Sequence, residues 1–127
     1  MAEKLCSLKM SGEGGSSEDL VVDGAPIKTG TITINGTTYD KYKAVINCGG
    51  CTHKSVNLPT SITSIMHEMI SLSGMVSNGS SDFRPIPYLN ANSSYNIGFY
   101  GGSTNISIET GTNYFASYTV YAIIEFY

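Results

Sequence analysis

Residues 114–127 read YFASYTVYAIIEFY, and their alternation decides the fold class. Tyr118, Val120, Ala122, Ile124 and Phe126 fall on one face of an extended strand. Phe115, Ser117, Thr119, Tyr121, Ile123 and Glu125 fall on the other. Strand side chains alternate with period two, so apolar and aromatic residues on both faces predict a strand covered on both sides. A second sheet or a neighbouring subunit can supply that cover.

The same period recurs toward the N-terminus. In GTITINGTTYDKYKAVIN (residues 30–47), Ile32 and Ile34 precede Asn35-Gly36, and Tyr42, Ala44 and Ile46 follow it. Asn-Gly is the strongest two-residue hairpin signal, because both central positions of the favoured turn need positive φ. SVNLP alternates Val56 and Leu58. SITSIMHEMISLSGMVSNGS (61–80) fits two periods, and its reading here is one helical turn over Thr63 to Met66, then a strand to Val76. Glu68, Ile70, Leu72, Gly74 and Val76 share a face of that strand, and Asn78-Gly79 closes it. FRPIPYLN (83–90) holds two prolines one residue apart, which excludes a central strand. SSYNIGFY and TNISIE add two further strands, with turns at Gly101-Gly102 and Thr110-Gly111. Seven to nine short strands with no βαβ rhythm predict an all-β chain, an antiparallel β-sandwich. Ahead of it, residues 1–20 end in MSGEGGSSEDL, too rich in Gly, Ser and acids to pack a core. They are expected to form an extended arm or linker before a single domain over 21–127.

Composition removes several function classes. Charged residues make up 13% of the 127 and the net charge is -3, without the clustered Lys and Arg that nucleic acid or an anionic membrane requires. No apolar run approaches a membrane span, and MAEKLCSLKM lacks the apolar core of a signal peptide, so neither insertion nor secretion is expected. No enzyme is expected either. His53 and His67 are the two histidines, G-x-S-x-G is absent, and nothing in the spacing of Asp23, Asp40, Glu68, Asp82, Glu109 and Glu125 selects a catalytic pair.

CGGCTH (48–53) is the most chemical stretch to the eye. A closed zinc site needs four ligands, and beyond Cys48, Cys51 and His53 only Cys6 and His67 remain as candidates. A redox C-x-x-C wants a helix N-terminus, which Gly49 and Gly50 in a β-rich chain oppose. The favoured reading is a Gly-Gly turn joining two strands, with metal or redox use of Cys48, Cys51 and His53 the weaker alternative and no cofactor expected. Nine tyrosines and no tryptophan, set among Asn, Ser and Thr, suit sugar stacking and hydroxyl hydrogen bonds. Tyr88, Tyr95, Tyr100 and Tyr114 lie beside turns and are the carbohydrate-binding candidates.

The order of these pieces resembles the small β-sandwich domain that ends many bacteriophage tail-fibre, baseplate and head-fibre proteins. Asp23, Gly24, Pro26 and Ile27 match its opening, and Ile62, Ile70, Leu72, Ser73 and Gly74 its middle strand. Pro85, Ile86, Pro87 and Tyr88 match its Pro-rich segment, and Ile106, Ile108, Tyr118, Val120, Ile124 and Glu125 its ending. The resemblance spans about residues 22–127. It implies a jelly-roll-like knob in a virion structural protein made in the host cytoplasm. The two-faced apolar character of Phe115 to Phe126 adds the expectation of a homotrimer, held to other virion proteins through residues 1–20 and facing a host-surface glycan or protein. Capsid decoration or a head fibre without a receptor role, and a lectin-like module, are the alternatives.

Overall fold

A computed structural model describes residues 19–127 of the chain. Residues 1–18, most of the expected arm, lie outside the described residues. The strands are β1 (Ile27–Ile34), β2 (Thr37–Gly50), β3 (Lys54–Asn57), β4 (Met69–Ser77), β5 (Phe83–Ile86), β6 (Ile97–Gly101), β7 (Asn105–Thr110) and β8 (Thr119–Phe126). One α-helical turn, α1 (Thr60–Thr63), and one 3-10 turn (Ser93–Tyr95) complete the regular structure. Every strand pair is antiparallel, in sheets of order β1-β2-β8-β4-β5 and β3-β7-β6. The chain is an all-β sandwich. Its ribbon of β2 beside β8 continues in the second sheet as β3 beside β7, which is the winding of a jelly roll.

The strand expected from residues 114–127 forms the centre of the larger sheet. Val120, Ala122, Ile124 and Phe126 are fully buried. Ala44 and Leu72 flank Ile124, while Ile46 and Gly74 flank Ala122. Ile97, Ile106 and Ile108 of the second sheet close over them. Burying each larger aliphatic or aromatic side chain here contributes roughly 1.5–3 kcal/mol. The outward face of β8 is half-buried by its own sheet: Val45 lies beside Ile123, and Asn47 and Met75 flank Tyr121.

Local chemistry explains the elements. Asn35 at φ 51 and Gly36 at φ 83 make the expected hairpin turn between β1 and β2. Asp23, itself at φ 59, donates its N–H to the Val45 carbonyl at 2.8 Å, and its carboxylate accepts the Asn47 N–H at 3.0 Å. The Asp-Gly opening thereby fastens the chain to the edge of β2 where β1 begins. β5 is an edge strand, as Pro85 within it requires.

Four expectations are corrected. The helical turn covers Thr60–Thr63, not Thr63 to Met66, because Pro59 is pre-set for a helix start and its carbonyl accepts the Ile62 and Thr63 N–H groups. A bulge between Met69 and Ser71 leaves Ile70 exposed and turns Met69 to the core face, breaking the alternation expected through Glu68 and Ile70. β8 starts at Thr119, so Phe115 is not on its outer face; it sits in a turn and is 1% exposed in the core. Finally, Gly49 and Gly50 are not the turn. They end β2 at a second bulge, with Gly49 at φ 77, and a Cβ on Gly50 would lie 2.8 Å from the Ala116 carbonyl oxygen. The chain bends at Cys51 to His53 instead.

Candidate functional site

Three loops meet at one end of the sandwich, each shaped by its own short polar side chains. In the β4–β5 loop, the Asn78 side-chain oxygen accepts the N–H groups of Ser80, Ser81 and Asp82 at 3.0, 2.9 and 3.0 Å. In the β5–β6 loop, Asn90 accepts from Asn92 N–H, Asn92 from Ser94 N–H, and Asn96 from Asn90 N–H. In the β7–β8 loop, the hydroxyl of Thr110 accepts from Thr112 N–H and that of Thr112 from Tyr114 N–H. These local bonds take the place of ladder bonds within each loop.

The loops and strand β5, which carries Arg84, bring Asp82, Arg84, Tyr88, Asn90, Tyr95, Tyr114, Phe115 and Tyr118 to one place. Arg84 donates from Nε and Nη2 to the two oxygens of Asp82, at 2.8 and 3.0 Å, and from Nη1 to the Tyr88 hydroxyl at 2.6 Å. Tyr118 donates its hydroxyl proton to Asp82 at 2.8 Å. The guanidinium carbon lies 5.0 Å from the Tyr88 ring centre and 5.1 Å from that of Phe115, a cation held between aromatic faces. Phe115 meets Tyr88, Tyr114 and Tyr118 edge-on at centroid distances of 5.9, 4.9 and 5.3 Å. Above this floor is an open depression of about 300 Å³ lined by Arg84, Asn90, Tyr95, Tyr114 and Phe115.

The electrostatics follow from the bonding. The Arg84 hydrogen bonds, then the Tyr118 hydroxyl, hold the Asp82 carboxyl below the usual carboxylate range. Asp82 in turn raises both the Arg84 guanidinium and the Tyr118 phenol above their ordinary values. Both oxygens of Asp82 are thus engaged, and the carboxylate supports the site without facing a ligand as a free base.

Of the sequence candidates, Tyr95 and Tyr114 line the depression and Tyr88 lies against its Arg84 wall. Tyr100 does not join them; it is 66% exposed on β6, opposite Ser107. Sequence reasoning missed Arg84, Asn90 and Phe115. Arg84 carried a usable signal, being a lone cation inside the proline-flanked segment that follows a turn. The Cys48, Cys51 and His53 alternative does not assemble. Cys48 and Cys51 are buried and His53 is exposed, and burial pushes the Cys48 thiol up to about 11 and raises Cys51 in the same direction. A nucleophilic thiol needs the opposite shift. Among the described residues no three His, Cys, Asp or Glu side chains converge, and no helix is long and apolar enough to cross a membrane.

A second aromatic group closes the far end of β8. Tyr39, His67 and Tyr127 pack within 4.9 to 6.1 Å of one another, and the Tyr127 hydroxyl donates to Glu68 at 3.0 Å. The His67 and Glu68 N–H groups donate to the Tyr127 carbonyl at 2.6 and 3.0 Å, so this group clasps β8 to the segment after α1.

A jelly-roll-like β-sandwich with an aromatic and guanidinium depression among its loops is the class that fold and site define. Comparison with protein-family models, curated proteins and solved structures gave no match.

Proposed function

We propose that residues 21–127 are the knob domain of a bacteriophage virion protein of fibre or baseplate type, which attaches to the host surface by binding a glycan in the depression beside Arg84. One observation carries the binding part of this reading. The β5–β6 and β7–β8 loops, each braced by its own hydrogen bonds, bring Tyr88, Tyr95 and Tyr114 together around a guanidinium that the β4–β5 loop holds through Asp82. Aromatic faces beside fixed hydrogen-bond donors are what sugar recognition needs, since a pyranose presents an apolar C–H face and a polar rim. The virion part rests on the order of the Asp23-Gly24, Gly74, Pro85–Tyr88 and Ile124-Glu125 motifs. In this reading the chain is a homotrimer and residues 1–20 tie it to other virion proteins.

The full-length chain, fluorescently labelled, is expected to bind host cells and to compete with particle adsorption. Tyr114→Ala should lower that binding about tenfold while leaving the melting temperature within a few degrees, because Tyr114 is 62% exposed. Equal binding by wild type and Tyr114→Ala would refute the site. Capsid decoration without a receptor role is the second reading, and it is supported instead if the chain labels the head of the particle in electron micrographs and never binds cells.

A further inference from the structure

The proposed glycan site is unevenly supplied with hydrogen-bonding groups. A guanidinium has five N–H groups, and among the described residues Arg84 spends three, two on Asp82 and one on Tyr88. One N–H remains on each terminal nitrogen. The Tyr88 oxygen accepts twice, from Arg84 and from Asn90 Nδ2 at 2.8 Å, so its own proton is free to donate elsewhere. Asn90 keeps its second Nδ2 hydrogen. The acceptors on the same groups are largely engaged: Asp82 takes three donors, and the Asn90 oxygen takes the Asn92 N–H at 2.9 Å.

What remains unspent on Arg84, Tyr88 and Asn90 is mostly donors. A neutral sugar edge also brings hydroxyl protons, which these three groups are poorly supplied to accept. A carboxylate brings two oxygens and no proton, and it is the best partner for guanidinium N–H groups. Asp82 does not forbid a second carboxylate, because its own charge is held by Arg84 and Tyr118. The stacking surface is in place beside it: Tyr114 stands edge-on to Tyr95 at 5.6 Å and to Phe115 at 4.9 Å, with its ring largely exposed. At about 300 Å³ the depression has room for one or two sugar units.

Resting on the glycan reading above, we infer that the site takes a carboxylate-bearing sugar. The acid group lies on the free N–H groups of Arg84 and Asn90 and on the Tyr88 hydroxyl proton, and the ring lies on Tyr114. The ligand class is thus acidic polysaccharide, of the kind found in capsules and uronic-acid-rich coats.

The test is calorimetric titration of the full-length chain with trigalacturonic acid and with its carboxyl-reduced, neutral counterpart. The acid should bind about tenfold more tightly than the neutral trimer, and its affinity should fall with added salt. Asn90→Asp is the informative variant. It keeps the acceptor for Asn92 and exchanges a donor for a negative charge, so it should lose about tenfold or more for the acid and little for the neutral trimer. Equal binding of both trimers, unchanged by Asn90→Asp, would overturn the inference and leave the glycan reading intact. Heat with neither trimer, together with cell binding indifferent to Tyr114→Ala, would overturn both.

Discussion

Phe115 joins the core to the site, and Phe115→Leu measures that junction. Leucine retains most of the apolar volume, so the transfer loss alone is small. What it removes are the three edge-on ring contacts with Tyr88, Tyr114 and Tyr118 at 5.9, 4.9 and 5.3 Å, and the aromatic face under Arg84. Each aromatic pair is worth about 0.5–1.5 kcal/mol beyond its buried area. Three pairs sharing one ring do not add fully, so the expected loss is about 2 kcal/mol. Urea denaturation followed by tyrosine fluorescence reads this directly. With a slope of about 1–1.5 kcal/mol per molar for a domain of this size, the midpoint should fall by about 1.3–2 M at unchanged slope. The alternation in residues 114–127 would instead put Phe115 on the outer face of a strand, where the same change costs under about 0.5 kcal/mol. A midpoint shift below about 0.4 M would refute the tucked position of Phe115 and the site built on it.

Two further outcomes follow from the same packing. Gly74→Ala would place a methyl 2.3 Å from the Tyr121 carbonyl oxygen and 2.6 Å from the Phe99 ring of the facing sheet. It should destabilise by about 3 kcal/mol in the same urea assay, and a neutral result would show that the sheets do not pack as described. Asp82 has a depressed folded-state pKa, so its contribution is present above its unfolded value near 3.9 and is lost as pH falls through the folded value. Melting temperatures taken from pH 5 down to pH 2 should therefore fall more for wild type than for Asp82→Asn, and parallel curves would contradict the role given to the Arg84 and Tyr118 hydrogen bonds.

How much was legible in the sequence depends on the range of the interaction concerned. Asn35-Gly36 specified its hairpin because the turn geometry is a property of those two residues. The prolines of FRPIPYLN excluded a central strand for an equally local reason, the missing N–H donor. Val120 to Phe126 announced a buried strand because alternation reports which face meets the core. The face assignment failed where one inserted residue shifts the phase, at Ile70. A bulge is stabilised by the opposing strand, whose register the sequence does not display.

By itself, then, the sequence determined an all-β chain of short antiparallel strands, its main hairpin, its central strand, and turn-borne tyrosines as candidates for binding. Tertiary structure alone decided that Arg84, Asn90 and Phe115, which stand 6 and 25 residues apart in succession, share one depression with Tyr95 and Tyr114 while Tyr100 stands elsewhere. The physical reason is that strand order, not strand pattern, sets which loops meet. β8 lies beside β4, and that pairing carries the turn before β8 to the loop after β4, where Tyr118 reaches Asp82. Local propensities can build each loop, but only the paired sheets bring their side chains together.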